Sequence, residues 1–408
     1  MKIRSDIARL ACLLIVIMLA ACDGLTPATP TSAPTAAALP PTAAPTASPI
    51  PPTATPTDTP VPTPEDTPTP SAISYGPNEF PAQINPLTGL PVTDPQLLER
   101  RPLSVKVQIF PRGQRPPMGV SQADIVYDYY QNNGMTRFHA VFYSQDAEQV
   151  GPIRSARLFD SNVVRMYKSV LAFGGADRRI MSVFLSSEFA DRLVVENSFN
   201  CPPMCRIDPN GYNFLVTNTS ELSKYITTKG VSNDRQDLNG TTFHSTVPEG
   251  GSPATQIFVR FSISAYARWD YDAAQARYLR SQDTAESASW DDSVYAPMID
   301  KNNGQQLVTD NIIVLFLPHK LVYRSASGTS EIVNIDMLGS GPAFGIRDGL
   351  AYQLTWSRAD KTALVQLALP DGSPYPLKPG VTWYEVIGQS SPYQDTGNGI
   401  WRFQFSIP

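Results

Sequence analysis

At 408 residues and a net charge of −5, the chain is long enough for about two domains beyond any tail. It carries no basic run of the kind that tracks nucleic acid, so no nucleic-acid partner is expected. Its three histidines, His139, His244 and His319, lack the H-E-x-x-H spacing, so no zinc or di-metal centre is read; only a carboxylate-bound calcium stays open.

Residues 1–22 begin with basic Lys2 and Arg4, continue through an apolar run from Leu10 to Leu19, and end in Ala20-Ala21-Cys22. That order of charged, apolar and small residues is a secretory signal. Leu19-Ala20-Ala21-Cys22 resembles the bacterial lipobox, which implies a diacylated Cys22 as the mature N-terminus. Two acyl chains hold a protein stably on a membrane, whereas the apolar run is short for an uncleaved span. The expected location is extracytoplasmic, lipid-anchored to the cell membrane of a bacterium. Residues 23–75 form a Pro/Thr/Ala/Ser tether with too few apolar residues to bury a core, read as disordered. In polyproline II it would reach on the order of 150 Å. Glycosylation of its threonines and serines is left open.

Residues 76–235 read as a mixed α/β domain. Leu103 to Ile109 alternates like a strand. Ala123–Tyr130 and Thr136–Ser144, rich in aromatic and β-branched residues, read as two strands around Asn132-Asn133-Gly134. Asn-Gly suits a two-residue type I′ turn. The resulting register sets Tyr130 opposite Arg137, Asp128 opposite His139 and Val126 opposite Val141, all on one face. Ile125, Tyr127, Tyr129, Phe138, Ala140 and Phe142 then take the other face as core. An acid, a base and an imidazole thus share a surface, which is either a solvated salt-bridged face or a ligand-facing one.

Gly151-Pro152-Ile153-Arg154-Ser155-Ala156-Arg157 follows the hairpin. Pro152 suits the first turn of a helix, and free N–H groups there with Arg154 and Arg157 make an anion site. The alternative is that both arginines pair with Asp124, Asp128 or Asp160 and brace the fold. Gly174-Gly175, leading to Asp177, reads as a tight loop without the G-x-G-x-x-G spacing, and no cofactor is expected. Cys201 and Cys205 are read as a short-range disulfide in an oxidising compartment, or else as two free thiols. Arg206 and Asn213 are candidates to add polar groups to a pocket. Thr219 or Ser220 caps a short helix to Thr227. Residues 228–252 are a polar boundary. From 253 to 408, short alternating runs broken by Asp-Gly and Gly-Pro turns read as an antiparallel β-rich domain. The fold class is α+β.

Several strings together resemble the YerB-type bacterial lipoproteins, built from a pair of domains of unknown function (DUF3048). They are Asn85-Pro86-Leu87-Thr88-Gly89-Leu90-Pro91, Ser121-Gln122-Ala123-Asp124-Ile125-Val126-Tyr127, Thr136-Arg137-Phe138 and Val150-Gly151-Pro152-Ile153-Arg154-Ser155-Ala156-Arg157 in the first half. In the second half they are Leu338-Gly339-Ser340-Gly341, Arg347-Asp348-Gly349, Thr355-Trp356 and Leu377-Lys378-Pro379-Gly380-Val381-Thr382-Trp383. The resemblance implies a secreted lipoprotein with a mixed N-terminal and a β-rich C-terminal domain. The chain departs from the family pattern at Asp128, where Glu is usual. It departs again at Phe173–Asp177, where a His-containing Gly-Gly-Ser loop is usual, and at Tyr212-Asn213, where His-Asn is common. Losing both histidines argues against carrying an enzymatic role onto this chain.

Three functions are weighed. The first is an envelope module that binds an anionic, glycan or protein ligand through Asp128, Arg137, His139, Arg154, Arg157, Asp177, Arg206 and Asn213. Arginine forks suit carboxylate and phosphate. The second is a cell-wall hydrolase with Asp128 and either Asp124 or Asp177 as paired carboxylates. No nucleophile elbow, Ser-Lys or Cys-His pair is legible, and the reading leans away from an enzyme. The third is a structural or assembly lipoprotein.

Overall fold

The computed structural model describes residues 72–197, 199–208 and 214–407, which fall within one compact unit. Cys22, all but the end of the 23–75 tether, and Asn213 lie outside the described residues.

The strands that carry the architecture are, in chain order, β1 (Leu103–Gln108), β2 (Ile125–Asn132), β3 (Met135–Phe142), β4 (Val170–Phe173), β5 (Leu193–Val195), β6 (Gln256–Arg260) and β7 (Tyr266–Asp272). They continue as β8 (Arg277–Asp283), β9 (Asn311–Leu317), β10 (Gly339–Arg347), β11 (Leu350–Arg358), β12 (Thr382–Gly388) and β13 (Ile400–Gln404). Three helices stand among the described residues: α1 (Asp160–Met166), α2 (Arg178–Leu185) and α3 (Thr219–Thr228).

An 11-stranded sheet runs Ser252–Pro253, β11, β10, β9, β12, β2, β3, β1, β4, β5, with Gln366–Ala368 added on β11. A 7-stranded sheet runs Tyr295–Pro297, β8, β7, β6, β13, Tyr393–Asp395, with Val308–Thr309 added on β8. The large sheet is continuous through both halves of the sequence, because β12 pairs in parallel with β9 on one side and with β2 on the other.

The fold is therefore more strand-rich than the α+β reading, and its second half is not purely antiparallel. β9 pairs with β12 in parallel, and β6 pairs with β13 in parallel. The reason lies in burial. Every residue of β9 and of β12 is buried, as expected for strands covered on both faces. Parallel pairing needs a long crossover, and residues 318–381 supply one between β9 and β12.

One face of the central strands packs on Phe159 and α1. Tyr127 stacks on Tyr384 with centroids 4.5 Å apart, and Tyr129 lies 4.4 Å from Phe159. The other face packs on the 7-stranded sheet, where Trp383 meets Trp269 at 5.0 Å and Phe138 at 4.9 Å. Gly380, with φ of +146°, lets the loop before β12 pass Asp310, whose Oδ2 would lie 2.1 Å from a Cβ there. No other residue fits that passage.

The β2–β3 turn forms as its sequence demands, with Asn133 at φ 50° and Gly134 at φ 77°. The register beyond it does not. Asn132 pairs with Met135, but a bulge at Gln131 shifts the ladder by one, so Tyr130 meets Thr136, Tyr129 meets Arg137, Asp128 meets Phe138 and Tyr127 meets His139. A one-residue slip moves a strand's side chains to the opposite face. Asp128 and His139, expected side by side, point to opposite sides of the sheet.

Candidate functional site

On the α1 side, β1, β2 and β3 present Lys106, Tyr129 and His139 toward Asp160, the first residue of α1. All four are fully buried. Asp160 is saturated. Its Oδ1 accepts from the Tyr129 hydroxyl at 2.7 Å and His139 Nδ1 at 2.8 Å, and its Oδ2 accepts from the Arg157 N–H at 2.6 Å. Burial alone would raise Asp160, but Lys106, His139 and Tyr129 outweigh it and hold its carboxyl well below the usual range. Lys106 Nζ lies 3.4 Å from Asp160 Oδ1 and 3.8 Å over the Tyr129 ring, with no hydrogen-bond acceptor among the described residues. Burial pushes its amine down to about 7 against the pull of Asp160, and Arg137 and Arg157 push the same way.

Arg137, Arg154 and Arg157 gather above this network. Arg137 Nη1 and Arg157 Nη1 both donate to the Ser155 carbonyl, at 2.7 and 3.4 Å. Arg154 Nε donates to Gln108, which is cross-strand partner to Arg137. Arg137 Nε and Arg157 Nε are buried without an acceptor among the described residues. Of the nearby carboxylates, Asp160 is engaged as above, and Asp177 pairs with Arg179 at 3.3 Å while its charge also favours that of Arg157. Burial first, then the positive charge of Arg157 and Arg154, drops the Arg137 guanidinium to about 9. The three side chains are half-buried rather than sealed.

The backbone that carries Arg154 and Arg157 is not helical. Residues 151–157 run extended against β1: Gln108 N–H donates to the Pro152 carbonyl, and Arg154 N–H to the Lys106 carbonyl. Ile153 N–H donates to the Leu215 carbonyl. With these groups already paired, the helix waits until Asp160, and the expected anion site at a helix start beside Pro152 does not exist. Guanidinium groups alone supply the positive field.

The other expected residues are dispersed. Asp128 is buried on the far face, where its Oδ2 lies 2.6 Å from Arg280 Nη2. Arg280 also binds Glu385 at 2.8 Å and is boxed by Phe138, Trp269 and Trp383, with ring centroids 5.1, 5.0 and 4.6 Å away. Burial and the Asp128 charge raise Glu385 to about 7, and burial raises Asp128. His139 shares the arginines' face but lies sealed beneath them; burial lowers its imidazole below the usual value. Asp177 caps α2, accepting from the Arg179 N–H at 2.8 Å. Arg206 pairs with Glu196 at 3.0 Å. Cys201 and Cys205 are joined across a Cα–Cα distance of 4.8 Å.

A cavity of about 310 Å³ does hold two arginines and a carboxylate, Arg112, Arg115 and Asp283. Both arginines bind Asp283, at 2.7 and 3.0 Å, and brace the loop before β2 against β8.

Lys106, Gln108, Arg280 and Glu385 were not singled out from sequence. Lys106 and Gln108 had one signal, since with Ser104 they make the polar half of a strand that alternates with Leu103, Val105 and Val107. Arg280 and Glu385 had none, because they meet Asp128 from strands far along the chain.

A family model for the DUF3048 N-terminal domain, described as a protein of unknown function, matches residues 87–232. The model for the DUF3048 C-terminal domain, with the same description, matches residues 257–384. The chain is similar to a Bacillus subtilis (strain 168) protein named as lipoprotein YerB, 25% identical over 313 residues, covering 74% of this chain and 85% of that protein. The crystal structure of YerB from Bacillus subtilis superimposes with a TM-score of 0.61 at 24% identity, covering 74% of this chain and 96% of that one. With both domain models matched in order along most of its folded length, the chain belongs to the DUF3048 family and is a homologue of YerB.

Proposed function

We propose that this chain is a membrane-anchored extracytoplasmic lipoprotein that holds an oxyanion, carried on an envelope ligand, against Arg137, Arg154 and Arg157. Cys22 is the lipid attachment and residues 23–75 the tether, a reading supported by the lipobox-like sequence and by the lipoprotein name of the relative. The observation that carries the binding role is the crowding of three guanidinium groups, two of them with buried Nε atoms lacking an acceptor, in a protein of net charge −5. Like charges held together oppose folding, and an incoming oxyanion relieves that opposition with charge-assisted hydrogen bonds.

The hydrolase alternative draws no support from Asp128 or Asp124. Asp128 is sealed against Arg280, and Asp124 accepts from the Tyr143 N–H at 2.6 Å, the Ser144 N–H at 2.9 Å and Asn85 at 3.1 Å.

The test is calorimetric titration of the full chain in detergent with inorganic sulfate, then with a phosphodiester and a uronic-acid oligosaccharide to separate the two oxyanion sources. Arg157→Ala is expected to weaken sulfate binding roughly tenfold or more, the worth of one charge-assisted hydrogen bond. Unchanged affinity in that variant would remove the arginine cluster from consideration.

A further inference from the structure

Beneath the arginines lies a titratable group that the binding reading does not use. Lys106 is fully buried, and among the described residues its Nζ has only a long 3.4 Å approach to Asp160, a carboxylate that already accepts from Tyr129, His139 and the Arg157 N–H. What faces this amine divides into two sides. Asp160 favours its charge from α1, and Asp128 adds a weaker pull through the sheet from the other face of β2. Burial opposes the charge, as do Arg137 from β3 and Arg157 from the extended segment. Burial also disfavours the charge on His139 beside it. α3 also packs on β1, but its Glu221 and Lys224 form an exposed pair with each other at 2.8 Å.

We propose, resting on the anion-binding reading above, that an oxyanion docking on Arg137, Arg154 and Arg157 is bound together with one proton taken up by Lys106, so that the site grips its ligand more tightly as the pH falls. The chemistry balances simply: the neutral amine of Lys106 accepts a proton from solvent and becomes an ammonium, and no other bond changes. The anion cancels the field of the guanidinium groups at the amine and adds its own attraction.

The sign follows from linkage. Lys106 in the free protein sits at about 7. Cancelling one neighbouring charge across a partly screened distance raises it on the order of one unit. Below the free value the amine is charged with or without ligand, and affinity is flat. As the pH rises through the two values the bound state must keep a proton that the free state has lost, and affinity drops by about tenfold in all. Burial moves His139 down, away from this window, and Arg137, at about 9, titrates above it.

The experiment uses sulfate, which keeps the same charge across the range, titrated into the full chain in detergent in buffers of different ionisation enthalpy. At pH 7.5 the heat should depend on the buffer with an uptake of about half a proton per sulfate, and at pH 6 it should not. In Lys106→Met the buffer dependence at pH 7.5 should vanish while sulfate still binds. If that variant fails to fold, the native chain labelled at lysine Cε reads the same proton, since the one lysine titrating near neutrality must shift toward its ammonium position on adding sulfate. Sulfate binding with no buffer dependence, or with a dependence that survives Lys106→Met, overturns the proton linkage and leaves the anion site standing. No sulfate binding at either pH overturns both.

Discussion

The two faces of one sheet solve the same problem in opposite ways. On the face toward the 7-stranded sheet, Arg280 is buried between Asp128 and Glu385, 2.6 and 2.8 Å away, under two tryptophans and a phenylalanine. On the face toward α1, Lys106 is buried beside one shared carboxylate, with the charges of Arg137 and Arg157 opposing its own. The first cluster has two acids for one base, while in the second Lys106, Arg137 and Arg157 crowd around Asp160, with Asp177 adding a further pull on Arg157. A surplus of buried acid needs only a proton to neutralise it, and Glu385 at about 7 holds one near neutrality. A surplus of base at a half-exposed surface needs an anion. The first face is a brace of opposite charges, and the second is the proposed anion site.

The strongest way to break the comparison is to remove Arg280. Arg280→Met leaves Asp128 and Glu385 buried without a counter-charge and is expected to cost about 3–5 kcal/mol in urea unfolding at pH 8. The loss should shrink at pH 5, where both acids can protonate. A cost below about 1 kcal/mol at pH 8 would mean that the cluster does not hold the sheets together.

A finer cut removes only the surplus acid. Glu385 titrates at about 7 in the folded chain against 4.5 when unperturbed. A raised carboxyl gives stability that is complete below 4.5 and is lost as the pH rises through 7. Glu385→Gln keeps the neutral shape at every pH, so it should flatten that slope and overtake the parent above pH 7, by on the order of 2 kcal/mol at pH 8. Parallel stability curves for the two proteins from pH 4.5 to 8 would show that the proton resides elsewhere.

Why the two faces were confused in the sequence comes down to Gln131. The Asn133-Gly134 turn was legible because positive φ at both residues is a local demand, and both adopt it. The bulge was not legible, because Gln131 carries no local mark of being the extra residue. That single insertion moved Asp128 onto the face of Arg280 and left His139 with Asp160. Arg137, Arg154 and Arg157 do come close together despite the error, since Arg137 keeps its strand and the 151–157 segment lies beside it. Their geometry was not legible, because Pro152 fits an extended segment as readily as a helix start. The union of both halves in one sheet was also beyond local reading. It depends on β12 meeting β2 across more than 250 residues of chain, and no pattern inside Thr382–Gly388 names its partner.

The mildest substitution gives the sharpest contrast between the faces. Arg137→Gln keeps a planar polar group at the Nε position, yet removes a charge that Arg157 and Arg154 both oppose. In a region built for stability, losing a buried ionic group costs several kcal/mol, as at Arg280. In a region strained for binding, the same change relieves like-charge repulsion. Arg137→Gln is therefore expected to leave the melting temperature unchanged or raise it, by about 0.5 kcal/mol in stability, while sulfate binding falls. The relief should also reach Lys106, whose amine would titrate above 7 once Arg137 no longer opposes its charge. A melting temperature that drops as far as in Arg280→Met would make the arginine cluster a brace, and the open face would then be a second sealed one.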